Sequence, residues 1–158
     1  MLPRAQIFAF ACLAAGGCAD NSGVPPPAPA FADPGFVSAG DIRLNYALTL
    51  TRDLDPAIAG SYGIVPRPNL ALLVITLAPA MDARSGRIAA VQLEAEAVTL
   101  IGDRQALPLR LVNEHGGPTY LAAVAVRHRE PITIVISARA YADGPDIRAR
   151  LTREFYLQ

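Results

Sequence analysis

The sequence predicts an all-β protein: an immunoglobulin-like antiparallel β-sandwich of about seven strands with one short helix between the first two. Three observations point there. Apolar and polar residues alternate with period two through most of the chain from Phe36 onward, clusters of Gly, Pro and Asp separate the alternating runs, and the single helical signal spans one to two turns. The chain has 158 residues, of which 52% are hydrophobic and 18% charged. That is enough apolar material for one domain with a core, and too much for a disordered tail.

The first seventeen residues read as a signal peptide. Met1-Leu2-Pro3-Arg4 is a short basic start, and Ala5 to Ala15 is uncharged and mostly apolar. At ~1.5 Å per helical residue this run covers only about half of a ~30 Å hydrocarbon layer, too short for a permanent span. Ala15-Gly16-Gly17-Cys18 resembles the lipobox of bacterial lipoproteins. The resemblance implies cleavage before Cys18, acylation of its sulfur and anchoring by several acyl chains, since one chain holds a protein only marginally. Ala19 behind the cysteine implies sorting to the outer membrane, with the protein facing the periplasm. The other cysteine, Cys12, would leave with the leader, so the mature chain has no internal disulfide. Residues 18–35 are then a lipidated N-terminus and a linker. Five prolines between Ala19 and Gly35 deny it both helix and sheet ladder.

The third segment, 36–158, is the predicted sandwich domain. Ile42, Leu44, Tyr46, Leu48 and Leu50 alternate with polar or small residues and give the clearest half-buried strand. Asp55-Pro56, with Gly60 near the end, marks the short helix through an N-cap and a proline at the first helical position. Leu70 to Ala78 is apolar on both faces, as in a central strand covered on both sides. Alternation returns at Val91 and runs to Ile101, where Gly102-Asp103 breaks it. Leu107 to Val112 contains Pro108 and reads as an edge strand. Tyr120–Val126, Ile132–Ser137 and Ile147–Leu157 complete the set, the last with Arg153 on its apolar face.

Composition narrows the chemistry. Fourteen basic residues balance fourteen acidic ones, which leaves no electrostatic footprint for nucleic acid. Every basic residue is Arg, so lysine Schiff bases and P-loop lysines are excluded. His115 precedes two glycines in a turn signal, without the G-x-S-x-G elbow that a lipase needs. His128 lies between arginines, which disfavour a cation by like-charge repulsion. Asp53, Asp55, Asp143 and Asp146 form no twelve-residue calcium loop and suit capping and turns. No nucleophile, base and orienting group can be assembled, so the expectation is no enzyme, no metal and no cofactor.

Several strings resemble domain-of-unknown-function family 4426, whose members are secreted proteobacterial proteins of one small domain. They are Phe36 to Asp41 leading into Leu44-Asn45-Tyr46, then Leu54 to Ala59 with Tyr62-Gly63-Ile64, Leu100-Ile101-Gly102, and the closing Leu151 to Tyr156. The resemblance runs from Phe36 to Gln158. It differs at Asn45, where the family tends to carry histidine, and at Val65-Pro66-Arg67-Pro68, where Arg-Ser usually follows the Tyr-Gly-Ile closely.

The loop from Asp55 to Arg67 is the first candidate binding surface. Tyr62 offers an amphipathic ring, Gly63 a permissive backbone and Arg67 a fork of donors between two prolines. The plainer reading has Tyr62 and Ile64 plugging the sandwich and Arg67 in solvent. The expected function is a membrane-anchored envelope lipoprotein acting as a non-catalytic binding or structural module, through contact with an envelope protein. The alternative is a small-molecule carrier, with a ligand between the sheets lined by Leu44, Tyr46, Leu72, Val74, Leu93 and Leu109.

Overall fold

The structure, a computed structural model, describes residues 35–80 and 86–157. The signal peptide, Cys18 and the proline-rich linker as far as residue 34 lie outside the described residues. What is described is an all-β antiparallel sandwich, built from β1 (Phe36–Ala39), β2 (Ile42–Leu50), β3 (Leu70–Pro79), β4 (Gln92–Val98), β5 (Arg104–Ala106), β6 (Arg110–Glu114), β7 (Gly117–Ala125), β8 (Ile132–Arg139) and β9 (Ile147–Arg153). One sheet has the order β1-β2-β3-β7-β6 and the other β5-β4-β8-β9.

There are thus nine strands among the described residues, against about seven expected. The two extra ones are short. β1 folds back on β2 through Gly40-Asp41, with Ala39 opposite Ile42 and Gly40 at φ +58°. β5 is three exposed residues that pair with the end of β4. Other boundaries also move. β4 stops at Val98, because Thr99–Gly102 closes a β-turn through the Gly102 N–H on the Thr99 carbonyl at 3.0 Å. Pro108 is not inside a strand: it lies in the crossing from β5 to β6, where the chain passes from one sheet to the other. β9 ends at Arg153, after which Phe155 bridges His128 in parallel.

β2 shows why the alternation works. Ile42, Leu44, Tyr46, Leu48 and Leu50 all enter the core between the sheets, beside Leu73 and Ile75 of the same sheet and in one cluster with Ile134, Ile136, Ala149 and Leu151 of the other. Burying each such side chain is worth about 1.5–3 kcal/mol, and this drives the two sheets together. Arg153 avoids the core at the strand's end: its guanidinium donates to the Leu48 carbonyl and lies 5.8 Å from the centre of the Phe155 ring.

β3 is covered on both sides, as its composition requires. Ala71, Leu73, Ile75 and Leu77 face the core, whereas Leu72 and Ala78 are buried on the opposite face. Leu121 and Thr119 of β7 are buried on that same outer face, since Val74 stands opposite Leu121. The segment after β2 returns to this sheet, with Thr51 bonded to the Leu70 carbonyl and Tyr62 to Glu114 of β6. It begins with a 3₁₀ turn (Thr51–Asp53) and continues into α1 (Pro56–Ser61), capped by Asp55 Oδ1 accepting from the Ala57 N–H at 2.7 Å. Ala59 is buried beneath it.

Candidate functional site

The segment behind α1 carries the residues singled out in the sequence, and each has its own partner. The Tyr62 phenol donates to Glu114 Oε1 at 2.5 Å. Its backbone carbonyl accepts from the Arg110 guanidinium. Gly63 has φ +63° and ends the helical turn in the left-handed region. At Arg67 the backbone is fixed instead of the side chain. Its N–H donates to Thr51 Oγ1 at 3.0 Å, and the buried Thr51 hydroxyl lies 3.1 Å and 3.0 Å from the Arg67 and Leu70 carbonyls. The Arg67 side chain is exposed, and no hydrogen bond or ring contact joins it to Tyr62 among the described residues. The three residues therefore mark one loop, but they do not converge on one ligand position.

Tyr62 belongs to a different group, invisible in the sequence. β6 and β7 meet in a two-residue turn, His115-Gly116, that places Glu114 opposite Gly117. Glu114, at the end of β6, accepts from Tyr62, from the Arg87 guanidinium and from the Thr119 hydroxyl at 2.9 Å. Arg87 also lies 2.6 Å from Thr119 Oγ1, and its N–H donates to the Gly116 carbonyl at 2.8 Å. The Tyr62 and Arg87 hydrogen bonds pull the Glu114 carboxyl from its ordinary 4.5 to about 2, against the opposing effect of burial. The same bond to Glu114, helped by burial, raises the Tyr62 phenol. Both carboxylate oxygens of Glu114 accept hydrogen bonds, so the group clasps the loop onto the sheet.

The remaining candidates are also accounted for. His115 lies in the β6–β7 turn. His128 Nδ1 accepts from the Leu157 N–H at 3.0 Å, and the ring meets Tyr156 edge-on at 6.2 Å. Asp146 pairs with Arg139 at 2.5 Å, and among the described residues no three side chains of His, Cys, Asp or Glu gather where they could hold a metal. Arg148 and Arg150 stand exposed on the outer face of the four-stranded sheet.

The carrier reading placed a ligand among six residues, and the structure corrects that. Leu44 and Tyr46 are packed into the core, while Leu72 and Val74 point to the opposite face of their sheet, so the six line no common cavity. An opening lies elsewhere. Where the chain crosses from β5 to β6 the two sheets part, leaving a cleft of about 290 Å³. Leu107, Val124, Val126 and Ile132 form its apolar floor. Asp103, Arg104, Arg127 and Glu130 form its rim, with Arg104 paired to Glu96 at 2.8 Å and Arg127 to Glu130 at 3.4 Å. No motif marks this cleft, because its lining comes from residues far apart in the chain that only the fold brings together.

A family described as "Domain of unknown function (DUF4426)" matches residues 36–158, and the chain belongs to it. The fold is shared with a DUF4426 family protein from Pseudomonas aeruginosa PAO1, at 20% identity and TM-score 0.63, covering 78% of this chain and 94% of that one. It is also similar to FetP of uropathogenic Escherichia coli strain F11. A copper-bound glutamate-to-glutamine variant of FetP aligns at 11% identity and TM-score 0.50, covering 78% and 90% of the two chains. FetP expressed in the E. coli periplasm aligns at 12% and 0.50, covering 75% and 92%. No curated protein sequence matches the chain.

Proposed function

We propose that this member of the DUF4426 family is an envelope lipoprotein, anchored to the outer membrane through Cys18 and facing the periplasm, whose sandwich is a non-catalytic module for binding an envelope protein. The observation that carries the binding role is the cleft between β5 and β7. It combines an apolar floor with a rim whose two arginines are already paired, which suits a neutral partner. The Tyr62 clasp supports the non-catalytic part, because both Glu114 oxygens are already engaged in holding the loop. The anchor reading rests on the basic start, the apolar run and Cys18. The copper of the FetP variant is not extended to this chain, whose described residues gather no metal-binding group.

A second reading is favoured by one observation only. The cleft volume falls just short of the ~300–1,000 Å³ usual for small-molecule sites, so a compact ligand would fit. A photocrosslinking amino acid at Gln105, on the cleft, separates the two readings in intact cells. A specific protein adduct, absent when the probe sits at Arg150, supports the module. Adducts to small molecules alone favour the carrier, and no adduct at Gln105 overturns both.

A further inference from the structure

β7 is longer than the strand that borders it. On one side it pairs with β3 from Tyr120 to Ala125; on the other, pairing with β6 ends where Arg110 stands opposite Leu121. The Val126 N–H donates to the Asn69 carbonyl at 3.0 Å, so even-numbered residues of β7 direct their backbone groups toward β3. The odd-numbered residues point the other way. Ala123 and Ala125 therefore turn two N–H and two C=O groups toward the cleft. Continued pairing would put Pro108 opposite Ala123, and proline has no N–H to offer. At that level the chain has instead left for the other sheet as β5.

A second feature borders the same cleft. Thr99 and Asp103 line it, and the turn they enclose carries Leu100 and Ile101 at 71% and 85% exposure. Both occupy the middle of a β-turn held by the Thr99 and Asp103 backbones and by Gly102 at φ +88°. Turn geometry asks for polar or small residues there, and neither side chain packs into the core. Folding does not explain this apolar pair.

We infer that the edge of β7 at Ala123 and Ala125 binds an extended segment of another polypeptide, which adds a strand to the five-stranded sheet and is gripped by Leu100 and Ile101. The inference deepens the binding-module reading and rests on it. Only an extended backbone supplies donors and acceptors at the two-residue spacing that Ala123 and Ala125 present. The floor of Leu107, Val124 and Val126 takes an apolar side chain at every second position. The rim holds two positive and two negative side chains, which selects an uncharged segment. The chain's own stretch 19–35 is a poor donor, because its five prolines interrupt the ladder. β6 is also an edge, with Leu111 and Asn113 turned outward, but the cleft opens beside β7 and not beside β6.

The test selects dodecapeptides from a random phage library against the full chain, then measures the enriched sequence as a synthetic peptide. Enriched peptides should alternate apolar and small residues, and their binding should protect the Ala123 and Ala125 amides from hydrogen exchange. N-methylation at one alternate set of peptide residues should weaken binding about tenfold or more, while the other set is tolerated. Ala123→Pro should weaken it similarly; the paired change Leu100→Ser and Ile101→Ser, on an exposed turn that folding does not need, should weaken it several-fold with the fold intact. Peptides that protect other amides, an absence of enrichment, or binding indifferent to the Leu100 and Ile101 changes overturns the inference. Protection of the two amides by concentration alone makes the occupant a second copy and also overturns it. If the Gln105 adduct survives Ala123→Pro unchanged, the module reading stands and this edge is not its site; if no adduct forms at all, the module reading itself fails.

Discussion

The phenol of Tyr62 donates a 2.5 Å hydrogen bond to the carboxylate of Glu114, joining the loop behind α1 to the end of β6. Hydrogen bonds to charged groups contribute about 1.5–3 kcal/mol. Tyr62→Phe keeps the ring and removes the donor, so it should cost a similar amount in urea denaturation. The apolar surface buried on folding is nearly the same, so the unfolding slope should be unchanged.

The Glu114 carboxyl sits near 2 in the folded chain, below its ordinary 4.5. A depressed carboxyl adds stability that is full above 4.5 and is lost as pH falls through the folded value near 2. Glu114→Gln should therefore be destabilising at neutral pH, with the deficit shrinking progressively below about pH 4.5. Thermal melts of both proteins from pH 7 to pH 2 read this directly. A deficit that stays constant over the range would deny the ionised clasp.

Gly117 has φ +108°, and a Cβ there would lie 2.9 Å from the Arg87 carbonyl oxygen. Gly63 has φ +63° with nothing within 4 Å of an added Cβ. Gly117→Ala combines backbone strain with a clash against main chain and should lose on the order of 3 kcal/mol, whereas Gly63→Ala should lose about 1–2 kcal/mol. Chemical denaturation ranks them, and a reversed order would contradict the packing of Arg87 against the β6–β7 turn.

How far the sequence reaches is clear from particular elements. β2 was legible because one face meets the core and the other does not, so period two survives in the residues themselves. The apolar character of both faces of β3 was legible too, because its residues are apolar at every position from Leu70 to Leu77 except Thr76. β1 was missed despite Gly40-Asp41, a two-residue hairpin signal, because four residues are too few to establish alternation. β5, all exposed, carries no period at all. Tyr62 was singled out as a candidate, but its partners Glu114, Arg87 and Thr119 are distant in sequence, and only the sheet register brings them together. The free backbone of Ala123 and Ala125 is likewise a property of where β6 ends.

The anchor reading makes its own prediction. Cys18→Ser should leave the protein unprocessed or release it from the membrane fraction, because acylation needs the thiol. Fractionation and metabolic labelling with a palmitate analogue check both points. A variant that is cleaved normally and stays membrane-bound would sink the anchor.

The open edge of β7 underlies the proposed binding role, and amide hydrogen exchange on the unbound chain tests it most directly. Ala123 and Ala125 should exchange quickly, while Ala122 and Val124, between them and alongside in the same strand, should be protected by their bonds to β3. Equal protection at all four amides would mean that the edge is already closed, and it would contradict the account.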